Sequence, residues 1–88
     1  MERTVTVALR EGLHARPAAL FVQEAARQPV AVTIRRAGVA PADATSILAV
    51  MTLDVSPGET VTLATAGDGP ADAATLDALA AFLGREHP

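Results

Sequence analysis

Between Thr4 and Leu9 the chain alternates, with Val5, Val7 and Leu9 on one side and Thr4, Thr6 and Ala8 on the other, a period of two that predicts a strand with one buried face. After Gly12 the period changes. Pro17 suits a first helical turn, because its fixed φ fits and its missing N–H would have had no partner there. Ala18, Phe21, Val22 and Ala25 then fall at i, i+3, i+4 and i+7, one helical face, until Gln28-Pro29 ends the pattern. Val30, Val32 and Ile34 alternate with Ala31, Thr33 and Arg35 as a second strand. "RRAG" reads as a turn into a short third strand around Val39 to Asp43, which Pro41 confines to a sheet edge. "TSILAVMTL", residues 45–53, is a short helix begun by Thr45 or Ser46, since either hydroxyl can accept from the first free N–H groups. "SPG" at 56–58 is a turn, and Thr60 to Ala66 forms a fourth strand with Val61 and Leu63 inward. "GDGP" leads into a last helix whose Leu76, Leu79, Ala80 and Leu83 share a face and which Gly84 stops.

The order β-α-β-β-α-β-α, with four half-buried strands and three one-sided helices, is most economically satisfied by one mainly antiparallel sheet with all helices on a single face. The expected fold class is α+β, an open-faced sandwich, with residues 1–88 forming a single domain.

Composition narrows what such a domain can do. At 88 residues the chain buries only about 60–65% of its unfolded surface and has little stability to spare. There is no cysteine, so disulfides do not help, and two distant histidines offer none of the usual zinc or redox spacings; no metal or cofactor is expected. No apolar run reaches the roughly 20 residues of a bilayer span, and "MERTVTVALR" lacks the apolar core of a signal peptide, so the protein is expected to be cytoplasmic with no membrane insertion. A net charge of −3 and only two aromatics, both Phe, build neither a basic groove nor a base-stacking platform, which disfavours nucleic acid as a partner.

The remaining chemistry lies in "EGLHARPAAL", residues 11–20, where His14 stands at the N-terminal mouth of the first helix. The free N–H groups of Ala15 and Arg16 would face an anion held on the imidazole, and the helix dipole adds positive charge at the same place. Arg16 contributes a guanidinium suited to phosphate oxygens. No carboxylate or second histidine follows in the pattern of a triad or metal site. The chemistry suggested is a nucleophilic imidazole that accepts a phosphoryl group and gives it up again.

In these residues the chain resembles the HPr family, the histidine-containing phosphocarrier proteins of the bacterial sugar phosphotransferase system. "GLHARPA" at 12–18 is similar to the family's active-centre motif and "SILAVMTL" at 46–53 to its regulatory-serine helix; length and element order agree. The resemblance implies that His14 is phosphorylated on a ring nitrogen by enzyme I at the expense of phosphoenolpyruvate and passes the group to sugar-specific enzyme IIA domains. It makes the chain a carrier used as a substrate, not an enzyme. It also implies that Arg16 contacts the phosphate and that Ser46 is the serine which an HPr kinase/phosphorylase modifies in some members. Purely regulatory relatives lack the active histidine, which this chain keeps. Members often carry Lys or Arg along the first helix, whereas here that surface has Gln23, Glu24 and only Arg27.

The short helix offers a separate reading. Ile47, Leu48, Ala49, Val50, Met51 and Leu53 are apolar nearly all round, yet a helix lying on one sheet buries one side, so part of Ile47, Leu48 and Met51 is expected to stay exposed as a partner-docking patch. Two functions remain open: a phosphoryl carrier in sugar uptake, and a regulatory binding module of the same fold, in nitrogen or carbon signalling, acting through the Ser46 helix. In either case a monomer is expected. His87 is read as a tail residue.

Overall fold

The computed structural model describes residues 1–85, which leaves His87 outside. The elements are β1 (Glu2–Thr6), α1 (Ala15–Ala26), β2 (Thr33–Arg36), β3 (Ala42–Asp43), α2 (Ile47–Thr52), β4 (Thr60–Ala64) and α3 (Pro70–Leu83). The strands form one antiparallel sheet in the order β1-β4-β2-β3. Register follows the alternation. Val5 lies opposite Val61 and Ile34 opposite Leu63 on the covered face. On the open face Thr4 meets Thr62 and Thr6 meets Thr60, each pair with hydroxyls 3.5 Å apart. The fold is therefore the expected open-faced α+β sandwich, with a core of Val7, Leu9, Phe21, Ile34, Val50, Leu63, Leu76, Leu79 and Leu83 between sheet and helices.

The boundaries differ in informative ways. The β1 ladder starts at Glu2 and stops at Thr6, yet Val7 and Leu9 stay buried, because the Val7 and Ala8 amides turn to the carbonyls of Glu59 and Leu83, each at 2.8 Å. β2 begins at Thr33, where pairing with Ala64 starts, so Val30 is only half-buried before the ladder, while Val32 is fully buried. Arg36, read as part of a turn, is the last residue of β2. Behind Pro41, β3 is reduced to two residues at the sheet edge.

α1 buries Ala18, Phe21 and Ala25, as its spacing demands, and Phe21 meets Phe82 of α3 at a centroid distance of 6.1 Å in a tilted pair. α3 opens with Pro70 at its first turn, and Asp72 Oδ2 accepts from the Gly69 N–H at 3.1 Å, fixing the entry. Thr75 is fully buried on its inner face with a hydroxyl that has no partner among the described residues. For α2 the cap is Ser46, whose Oγ accepts from the Ala49 N–H at 3.3 Å. Thr45 is unavailable because its hydroxyl and N–H both donate to Asp43 Oδ1, at 2.7 and 2.9 Å. Among the described residues no helix is long and apolar enough to cross a membrane.

Candidate functional site

The chain approaches His14 through a turn that only glycine can make. Gly12 has φ +65, and a Cβ there would stand 2.1 Å from the Val55 carbonyl oxygen. That close approach lets the next amide, Leu13 N–H, donate to the same Val55 oxygen at 3.0 Å, between two fully buried residues. The segment entering α1 is thereby pinned to the loop that leaves α2. His14 caps α1 in extended conformation, φ −125 and ψ 157, without a side-chain capping bond, so its imidazole is free for other work.

Ala15 does not serve as the cap. It is the first helical residue, at φ +49, a left-handed conformation that costs a side-chain-bearing residue roughly 1–2 kcal/mol. Among the described residues the amides of Ala15 and Arg16 find no acceptor, and Arg16 makes no ion pair. Those two donors and an exposed guanidinium stand within one turn of the imidazole. An anion at the ring would meet the positive end of the helix and Arg16 together. Arg16 also lines, with Arg10, Pro17, Leu20 and Phe82, an open groove of about 460 Å³ beside α1.

On its other side the imidazole has a neighbour that the sequence reading lacked. His14 Nε2 lies 3.3 Å from Asp54 Oδ1. Asp54, in the loop after α2, sits at φ +55, and Arg36 holds it there: Arg36 Nη1 donates to the Leu53 and Asp54 carbonyls, each at 2.9 Å, while Nη2 lies 2.8 Å from Glu59 Oε2. Glu59 Oε1 in turn accepts from the Ser56 N–H at 2.7 Å. No carboxylate follows His14 in the sequence pattern of a triad or metal site, and the one beside its ring comes from a distant segment. Asp54 is remote in sequence and arrives only because Gly12 lets two loops touch. Local pattern contains no signal for this; the nearest hint is an Asp, a residue that tolerates left-handed backbone, just ahead of "SPG".

Ser46 stands apart from this cluster, half-buried as the α2 cap. Next to it Ile47, Leu48 and Met51 are 41%, 75% and 39% exposed, as the one-sided packing of α2 required, and Leu20 of α1 adds a further exposed apolar side chain at 39%. Leu20 was missed because it lies off the buried face of its helix; an apolar residue there is itself the signal. Arg27, the C-cap of α1, is paired with Glu24 at 3.4 Å. Among the described residues the Asp43 carboxyl is held below its ordinary value, first by the Thr45 N–H and then by the Thr45 hydroxyl.

A one-sided antiparallel sandwich with a partly exposed histidine capping its first helix, free amides and an arginine beside the ring, defines a class of small domain suited to carrying an anionic group on imidazole. The family model described as the PTS HPr component phosphorylation site matches residues 1–85. The chain is 49% identical over 82 residues to the phosphocarrier protein HPr of Haloferax volcanii (90% of this chain, 88% of that one). It is 43% identical over 86 residues to the HPr-like protein Crh of Halalkalibacterium halodurans (98% and 99%). A crystal structure of phosphocarrier protein HPr from Bacillus anthracis superposes with a TM-score of 0.85 at 40% identity, covering 94% of this chain and 95% of that one. The chain belongs to the HPr family of the phosphotransferase system.

Proposed function

We propose that this protein is a phosphoryl carrier in which His14 accepts a phosphoryl group from phosphorylated enzyme I and donates it to enzyme IIA domains in sugar uptake, in the cytoplasm and as a monomer. The observation that carries this reading is the His14 imidazole itself. It is partly exposed, leaves the helix capping position without using its side chain, and stands beside the free Ala15 and Arg16 amides and the Arg16 guanidinium. A lone pair on the ring forms the N–P bond while the donor's bond to phosphorus breaks and its electron pair leaves with the donor. The amides and Arg16 stabilise the transferred oxygens as negative charge gathers on them. Residues 1–88 act as one domain that partner enzymes treat as a substrate, docking on Leu20, Ile47, Leu48 and Met51. Incubation with phosphoenolpyruvate and enzyme I, followed by intact mass analysis, tests it: one added phosphate lost in acid is expected, and an unchanged mass overturns it.

A second reading, a regulatory module acting by protein binding through the Ser46 helix, is favoured by the near full-length similarity to Crh and by Ser46 bordering the exposed Ile47, Leu48 and Met51 side chains. In that case an HPr kinase/phosphorylase acting on Ser46 governs partner binding. His14 is present here, which favours the carrier.

A further inference from the structure

We propose that Asp54 is a positioning residue for His14: with its backbone held by Arg36, Asp54 sets its carboxylate at the Nε2 edge of the imidazole and keeps the Nε2–H tautomer, so that Nδ1 presents the lone pair to phosphorus. Three observations meet here. Nε2 is 3.3 Å from Asp54 Oδ1. The Asp54 backbone is fixed by Arg36 through its own carbonyl and that of Leu53, and Arg36 is fixed in turn by Glu59. The ring-bearing segment is pinned to the same loop by the Leu13 N–H on the Val55 carbonyl at 3.0 Å, which keeps the two backbones together.

A neutral imidazole has one N–H and one lone pair, and whatever accepts the N–H decides which nitrogen is nucleophilic. A carboxylate accepts only, so Asp54 selects Nε2–H. When the Nδ1 lone pair forms the N–P bond, the donor's bond to phosphorus breaks with its electron pair leaving on the donor, and Nε2 keeps its proton. The ring then carries positive charge beside a carboxylate, and the 3.3 Å contact tightens as that charge develops. In onward transfer the N–P electron pair returns to Nδ1 and a neutral imidazole departs, with no proton having moved. Asp54 is 80% exposed, so the effect is that of a surface pair: a bias of about fivefold, which at 1.4 kcal/mol per tenfold is about 1 kcal/mol.

The tautomer part of this inference stands on geometry alone, while its kinetic part rests on the phosphocarrier reading. Because Asp54 has φ +55, Gly and Asn both tolerate its backbone, so Asp54→Gly removes the acceptor and Asp54→Asn keeps an oxygen acceptor without the charge, neither adding strain. In a His87→Gln background, which leaves a single histidine, two-bond proton–nitrogen correlation spectra at alkaline pH read which ring nitrogen carries the proton. The Nε2–H form is expected in the parent and in Asp54→Asn, and a mixture in Asp54→Gly. The rate of phosphoryl acceptance from enzyme I is expected to fall about fivefold in Asp54→Gly and less than twofold in Asp54→Asn. An unchanged tautomer in Asp54→Gly, or equal rate losses in the two variants, overturns the assignment. If the parent accepts no phosphoryl group at all, the carrier reading fails, and the tautomer comparison alone decides the role of Asp54.

Discussion

Replacing Gly12 by Ala attacks the one point on which the site's assembly turns. At φ +65 the left-handed conformation costs alanine about 1–2 kcal/mol. The added Cβ would also stand 2.1 Å from the Val55 carbonyl oxygen and 3.1 Å from Ser56 Cα, backbone atoms that can yield only by moving the loop. Moving it breaks the bond from the Leu13 N–H to the Val55 oxygen, worth about 0.5–1.5 kcal/mol, and both groups are buried, so neither regains a water partner cheaply. Together these come to about 1.5–3.5 kcal/mol, and at about 4–8 °C per kcal/mol for a domain of this size the midpoint should fall by about 6–28 °C. Gly38→Ala supplies the control: its φ is +79, but nothing lies within 4 Å of the new Cβ, so only the conformational cost remains, about 1–2 kcal/mol. Thermal melts followed by circular dichroism compare the two. A Gly12→Ala midpoint no lower than that of Gly38→Ala would refute the claim that close approach of the two loops fixes the residue.

Thr75→Val, which removes a buried hydroxyl without a partner while keeping the side chain's shape, should stabilise the fold by about 1 kcal/mol in a denaturant titration. Ser46→Asp keeps an acceptor for the Ala49 N–H and puts negative charge at the start of α2, worth about 0.3–1 kcal/mol, so melting should be unchanged or raised while enzyme I transfers to it more slowly; normal transfer would leave Ser46 as a cap only. Bonding from Thr45 holds the Asp43 carboxyl below its ordinary 3.8, so its stabilising effect is complete above that value and disappears as pH falls through the lowered one. The difference in melting temperature between the protein and Asp43→Ala should accordingly be full at neutral pH and close in strong acid. Arg16→Ala should slow phosphoryl transfer more than it weakens enzyme I binding, measured by single-turnover kinetics and calorimetry, since the guanidinium matters most as charge moves onto the site.

The parts of the molecule readable from sequence are those where a face repeats. Val5 and Val7, Ala18 to Ala25, Val61 and Leu63, and Leu76 to Leu83 each declared their buried side through period alone, and a single sheet with its helices on one face followed from needing to cover them once, whereas the strand order β1-β4-β2-β3 came only with the structure. Boundaries were less legible because tertiary partners set them: β2 begins where Ala64 is available, and Ser46 rather than Thr45 caps α2 because Asp43 has already engaged Thr45. At the site, His14, Arg16 and the free amides are neighbours in sequence, so one stretch displayed them. Asp54 and Glu59 share the loop between α2 and β4 while Arg36 ends β2, and the contact that brings this loop to His14 is one that no periodicity encodes.

The central claim is that one phosphoryl group enters and leaves at His14. The most direct measurement loads the protein with enzyme I and phosphoenolpyruvate, isolates the phosphorylated form, and mixes it with an enzyme IIA domain while intact masses are followed in time. One acid-labile phosphate should leave this chain as one appears on the partner, and His14→Ala, folded by its melt, should neither take the group nor pass it on. An acid-labile phosphate on His14→Ala, or a wild-type phosphate that never reaches any acceptor, would contradict the account.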